Sequence, residues 1–281
     1  MYVQLSQSIW QAHASDRRLA ADVEKTTSAD NRTMRVLKQL APTDYLLPIK
    51  RIATYGRDQH ERLTLPGLVK GQQLLATRTF DEYVAIQGEI KDSFFEAVRS
   101  FCGIYPDIVD KAPKRLGKAY DPDDFPEVSK IKTYFDYTIR FSPVPDTGNW
   151  LLDNVDQSDL AMLRNEVENE KNEMFREATK ELFERAQTVL DNLASQALNY
   201  VEGQSNGAAL RDITINSVKD MADLVVNMNI TGDVTLDTVG KEMQEKFRDI
   251  EAKSLRTDAK ERSEVAKTAA RLLEKLRKAA V

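Results

Sequence analysis

The chain has one cysteine, Cys102, and two histidines, His13 and His60, in 281 residues. A lone thiol forms no intramolecular disulfide, which points to a reducing compartment. The histidines lie in separate segments with no serine, aspartate or cysteine at a motif spacing, so no Ser-His-Asp or Cys-His signature is written in the order of residues. There is no run of about 18 apolar residues and no cationic start followed by an apolar stretch, which speaks against a membrane span or secretory leader. The segment Gly203-Gln204-Ser205-Asn206-Gly207 is the nearest approach to a phosphate loop, but it has no following Lys-Ser/Thr and opens no strand–loop–helix unit. Internal repeats and low-complexity tracts are also missing. These absences lead to an expectation of a cytoplasmic protein of a bacterial cell, with no cofactor and no membrane partner.

Charge is close to balanced, with 40 basic and 45 acidic residues, a net charge of -5 and a pI near 5.4. Such a field repels phosphate over the surface as a whole and leaves only local patches for nucleic acid. The 41% hydrophobic content is sufficient for a packed core.

The pattern changes near Asp153. Before it, short apolar runs are bounded by prolines and aromatics. Residues 2 to 10 alternate apolar and polar, and residues 134 to 141 are β-branched and aromatic with period two, so both read as strands. Ser15-Asp16 offers an N-cap for a helix. A short helix is expected over residues 34 to 40, and another opens at Pro42-Thr43-Asp44 with Pro48 in its first turn. Residues 72 to 77 read as a further strand. Tyr83, Ile86, Ile90, Phe94, Val98 and Phe101 recur at steps of three or four, giving a helix that stops near Gly103 and a turn-interrupted helix to Gly117. Trp150-Leu151-Leu152 is expected to return as a hairpin partner.

After Asp153, apolar or neutral positions from 160 to 200 keep a 3.6-residue period broken only by Glu170 and Lys171, which predicts one helix over about residues 156 to 201. Gly203 and Gly207 end it. Further helices are expected over 208 to 228, 236 to 255 and 258 to 280. The fold expected is therefore α+β, a small mostly antiparallel sheet with covering helices over 1 to 153, followed by a long-helix, antiparallel all-α region over 154 to 281.

Between Asp153 and Glu184 there are ten acidic and four basic residues, whereas Val265 to Val281 holds five basic and one acidic. Four of those five, Lys267, Arg271, Lys275 and Lys278, with Arg277 beside them, form a cationic stripe at helical spacing. Cations also complement the negative end of a helix dipole. If all five met phosphates, log affinity would fall against log salt with a slope of roughly -4.5. A thinner basic set, Lys50, Arg51, Arg57 and Arg62, has Tyr45 and Tyr55 interleaved, a composition that stacks bases, although Asp58 and Glu61 dilute it. Asp121, Asp123 and Asp124 suggest an oxygen-ligand site, but Pro126 and Lys132 stand where a calcium loop needs glycine and glutamate, and Asx-turns beside proline are the expected role. Cys102, between Phe101 and Gly103, reads as a small buried hydrophobe.

The ordered elements Leu46-Leu47-Pro48-Ile49, Thr64-Leu65-Pro66, Leu74-Leu75, Leu116-Gly117 with Asp121-Pro122-Asp123-Asp124-Phe125-Pro126, and Phe141-Ser142-Pro143-Val144-Pro145 resemble a family of uncharacterised proteins of tailed bacteriophages and prophages. The resemblance covers about residues 2 to 153, and Gly67 replaces a tryptophan of the family. It implies a phage or bacterial intracellular origin and carries no activity or site residues. Together these readings favour a non-enzymatic assembly or adaptor protein acting through long helices in phage DNA metabolism or host takeover, by self-association or by binding another protein. The alternative is a single-stranded nucleic-acid-binding or annealing protein that forms a ring. An enzyme with an unrecognised site comes third.

Overall fold

The structure is a computed structural model that describes residues 1–30, 33–69, 71–144, 157–201 and 210–279. The hairpin expected at Trp150–Leu152 and the helix-ending loop at Gly203–Gly207 lie outside the described residues. The fold is α+β. Four strands, β1 (Tyr2–Ser8), β4 (Leu65–Pro66), β5 (Gln73–Leu74) and β6 (Asp136–Ser142), form a sheet of order β4-β5-β1-β6, and β2 (His13–Ser15) pairs with β3 (Leu37–Gln39) in a second ladder. The pairings of β5 with β1 and β4, and of β2 with β3, are antiparallel, with Tyr2 opposite Leu74, Leu65 opposite Leu74 and Ala14 opposite Lys38. The helices are α1 (Arg17–Thr27), α2 (Thr43–Arg62), α3 (Phe80–Leu116), α4 (Val128–Lys132), α5 (Gln157–Leu198), α6 (Asp212–Met228), α7 (Val234–Phe247), α8 (Ala252–Thr257) and α9 (Ala259–Ala279). None among the described residues is long and apolar enough to cross a membrane.

Two compact units interleave along the chain, so they are not two successive stretches. One comprises Leu5–Arg62 and Glu82–Arg140, and the other Met1–Gln4, Leu63–Asp81 and Phe141–Val281.

In the first of these, α3 supplies the spine. Tyr83, Gln87, Ile90, Phe94, Val98, Phe101, Tyr105, Ile108 and Ala112 follow one another at steps of three or four and are buried. Each large apolar side chain so covered contributes about 1.5–3 kcal/mol. They pack with Leu46, Ile49 and Ala53 of α2 and with Trp10, Ile131, Phe135 and Tyr137. The aromatics meet edge-on or tilted, Trp10 with Tyr105 at 5.7 Å and Phe94 with Tyr137 at 5.4 Å between centroids. The helix does not stop at Gly103, contrary to expectation, and passes through Pro106 and Pro113. Each proline removes a donor, but Tyr105, Ile108 and Ala112 continue the buried stripe across them and offset the loss.

A second departure is the expected helix over residues 34 to 40, which is strand β3. Its backbone is claimed by β2 and by cations. Arg115 of α3 donates to the carbonyls of Gln39, at 2.6 Å, and Leu40. Lys38 donates to Ala119 O at 2.9 Å and pairs with Asp16 at 3.9 Å and with Asp124. Asp16 caps α1 as expected, accepting from the amides of Arg18 and Leu19, while Ser28 closes that helix with φ 55°.

The other unit is built on helices. From Met174 onward α5 buries Ala178, Leu182, Ala186, Leu190, Leu193 and Ala197 against Val218 and Val225 of α6, Val239 and Met243 of α7, and Val265, Ala269, Leu272 and Leu276 of α9. Helix α6 runs antiparallel beside α5, with Thr214 bonded to Gln196 at 2.9 Å and Thr231, just past its end, 3.2 Å from Thr179. Gly240 brings α7 close to α6, since a β-carbon there would stand 2.9 Å from methyls of Val225 and Val226. The helix expected over 236 to 255 is broken after Phe247 into α7 and α8, and both flanks, Phe247 and Ala252, are buried. Tyr2 joins this core and donates its hydroxyl to Met174 Sδ at 3.1 Å.

Candidate functional site

Helix α5 has 42 residues, about 63 Å at 1.5 Å per residue. Its C-terminal two thirds are covered by α6 and α9. The first part is different, for among the described residues none from Ser158 to Glu173 is buried. Leu160, Leu163 and Val167, on the face that becomes core at Met174, are half-buried, and Met162 is 63% exposed. Next to this stretch lies an open groove of about 790 Å³, lined by Asn172, Phe175, Arg176, Thr179 and Phe183 of α5 and by Thr231. A neighbouring depression of about 590 Å³ shares Phe175 and adds Met1, Leu74, Arg78, Val144 and Ile230. The first groove sets the aromatic surface of Phe175 and Phe183 beside the charged groups of Arg176, Lys180 and Glu184 and the amides of Asn172 and Gln187.

The basic stripe is on α9, and every member faces a carboxylate. Lys267 Nζ is 3.2 Å from Glu264 Oε1, Arg277 Nη2 3.3 Å from Asp191 Oδ1, and Lys278 Nζ 2.7 Å from Glu274 Oε1. Arg271 Nη2 lies 2.7 Å from Glu242 Oε2, while Lys275 bonds Glu242 Oε1. Hydrogen bonding from Lys275 outweighs partial burial and, with Arg271, holds the Glu242 carboxyl below the usual glutamate range. The three outer pairs are solvent-exposed and weak. Glu242 is less exposed and gathers two cations at once. The stripe thus offers phosphate less free charge than its five side chains suggest.

The second basic set lies along α2 in the other unit. On a helical projection Lys50 and Arg57 share one face, and Arg51, Tyr55 and Arg62 another about a third of a turn away. Arg57 donates to Gln7 Oε1 at 2.9 Å and to Thr54 Oγ1 at 3.0 Å, and Arg62 donates to Gln59 Oε1 at 2.9 Å. Tyr45 and Tyr55 are exposed at 42% and 54%.

The groups with acid–base character in that unit form a buried network. His60 Nδ1 is 2.7 Å from the Tyr83 hydroxyl, and desolvation lowers the imidazole to about 4, so the ring is neutral at pH 7. Tyr137 donates to Gln87 Oε1 at 2.6 Å, and Gln87 donates to Gly56 O at 3.0 Å. Burial raises the hydroxyl pKa values of Tyr83 and Tyr137. His13 stands exposed on β2. Cys102 is buried, and desolvation, opposed by Lys132, pushes its thiol up. Of the aspartate cluster, Asp121 accepts from Asp123 N at 3.1 Å in an Asx-turn and Asp124 is taken by Lys38. Among the described residues no three His, Cys, Asp or Glu side chains converge as a cation site.

Sequence periodicity located the α9 stripe but not the counter-charges that reach it from other helices, Asp191 of α5 and Glu242 of α7, beside Glu264 and Glu274 of α9 itself. It also missed the groove, because Phe175 and Phe183 flank the core stripe and only the ending of α6 near Thr179 shapes the space between. Comparison with family models, curated proteins and solved structures finds no match for this chain.

Proposed function

We propose that this protein is a non-enzymatic assembly or adaptor protein that holds another macromolecule against its helical unit. One observation carries the reading: α5 extends about four turns beyond its buried section while keeping the same apolar face, at Leu160, Leu163 and Val167, and this face ends beside a groove floored by Phe175 and Phe183. An amphipathic helix is stabilised chiefly by covering such a face. The resemblance of residues 2 to 153 to tailed-phage proteins supports a setting in an infected or prophage-bearing bacterial cell, in DNA metabolism or host takeover.

Single-strand binding is the competing reading, and the pairing of all five α9 cations with carboxylates weighs against it. The test is purification of the tagged full chain from bacterial cells, with protein and nucleic acid both assayed in the eluate, followed by filter binding to labelled single-stranded oligonucleotides. The expected result is a stoichiometric protein assembly without nucleic acid and no oligonucleotide retention at about 50 mM salt. Retention that falls steeply with salt, as release of several counterions requires, would replace the adaptor reading with the nucleic-acid one.

A further inference from the structure

We infer that residues 158 to 171 of α5 form a self-association seam in which two copies of this chain pair side by side in parallel. The inference deepens the adaptor reading, on which it rests, by naming the partner as a second copy and fixing its direction.

Taking Leu160 and Val167 as a positions places Leu163 at d, an apolar seam in which Val167 at a with Leu163 at d is the combination that favours two strands. The flanking positions are segregated by sign. Asp159, Glu166 and Glu173 fall at g, whereas Arg164 and Lys171 fall at e. In a parallel pair each g residue meets the e residue five positions on in the other helix, so Asp159 faces the second copy's position 164 and Glu166 its position 171. Opposite charges then meet along both edges. In an antiparallel pair g meets g and e meets e, which sets acid against acid and base against base. The pattern is therefore self-complementary in one direction only.

The structure shows where the seam ends. Glu170, the next d position, is charged and exposed, and Met174, the next a position, is buried in its own core, where it accepts a hydrogen bond from the Tyr2 hydroxyl at 3.1 Å. N-terminal to that point the same face is half-buried at Val167, Leu163 and Leu160. Lys171 holds Glu168 of its own helix at 2.6 Å and retains a quarter of its side-chain surface, so it can also take a carboxylate from outside. An unrelated acidic or basic helix would satisfy one edge of the seam and repel the other; a second copy in parallel satisfies both.

The test uses the full chain. Light scattering is expected to give a mass near twice 31.9 kDa at high micromolar concentration. The Arg164→Glu/Lys171→Glu protein and the Asp159→Lys/Glu166→Lys protein should each be monomeric, because like charges then line both edges, and an equimolar mixture should recover the dimer. These positions lie outside the buried core, and circular dichroism checks folding. Direction is read from Leu160→Cys and Val167→Cys made separately, with the unmodified chain, whose Cys102 is buried, as control. In parallel register each position meets its own copy, so both form disulfide-linked dimers under mild oxidation, whereas an antiparallel pair allows this at no more than one of them. A wild-type mass of one chain at every concentration overturns the seam, as does a dimer indifferent to the charge variants or crosslinked at only one position. A monomer that still co-purifies with a different protein leaves the adaptor reading standing without the seam.

Discussion

Tyr137 sets its hydroxyl against the backbone of Gly56, so closely that a β-carbon at position 56 would overlap it and would lie 3.0 Å from Gln7 Nε2 and 3.1 Å from the ring carbon bearing the hydroxyl. The same hydroxyl donates to Gln87, which bonds the Gly56 carbonyl. Gly56 therefore permits a strand side chain to sit on a helix backbone, which is a packing constraint. Gly56→Ala should lower stability by about 1–3 kcal/mol, as overpacked sites do. Tyr137→Phe alone should cost about 1–3 kcal/mol because Gln87 loses its donor, yet in the Gly56→Ala background it should recover part of the loss. Urea midpoints of the four proteins check the cycle, and strictly additive losses would contradict it.

His60 makes the fold sensitive to acid. Its pKa is about 4 in the folded chain against 6.5 for the free group, because burial disfavours the cation. The native state thus binds fewer protons between those values, and stability falls as pH drops through 6.5 toward 4. The loss attributable to this one group is on the order of 3 kcal/mol when complete. His60→Gln should flatten the decline between pH 6.5 and 4.5 in denaturant titrations. An unchanged slope would show that His60 protonates freely in the native state.

Lys38 binds three parts of one unit together, with only 9% of its side chain exposed. Lys38→Met should destabilise by about 3 kcal/mol, since Asp16 and Asp124 are left without their cation. Adding Asp124→Asn should restore part of this. Thermal melting measures both, and a neutral single variant would mean that the pairs contribute nothing net.

Much of the sheet and the helical spine was legible because period two and period 3.6 are carried by neighbours in sequence. Tyr2 to Ser8, Asp136 to Phe141 and the stripe from Tyr83 to Phe101 lie where the pattern placed them. Where pattern failed, distant residues decided. Leu37–Gln39 has no local strand signal, and its backbone is fixed by β2 and by Arg115, 75 or more residues away. Gly103, Pro106 and Pro113 are helix breakers by propensity, but a continuous buried face overrides them. The stripe on α9 was visible as spacing, while Glu242 and Asp191 stand 33 and 86 positions from the cations they meet, beyond any local reading.

Those counter-charges make a prediction of their own. Glu242→Ala releases Arg271 and Lys275, and weak oligonucleotide retention, lost with added salt, should emerge in a protein that otherwise shows none. The substitution should also cost about 1 kcal/mol at pH 7. Because pairing depresses the Glu242 pKa, that contribution is present above the ordinary value of 4.5 and disappears as pH falls through the lowered one. Equal retention by wild type and variant would show that Glu242 does not mask the stripe.

The first turns of α5 are proposed to be a contact surface left open within one chain. Hydrogen–deuterium exchange of the purified full-length protein over a range of concentrations tests it most directly. Protection of residues 158 to 171 should rise with concentration while the buried run from Leu182 to Leu193 stays constant. Exchange in the first turns that is independent of concentration, and equally slow in the most dilute sample, would mean that this face is already covered by its own chain, and would contradict the account.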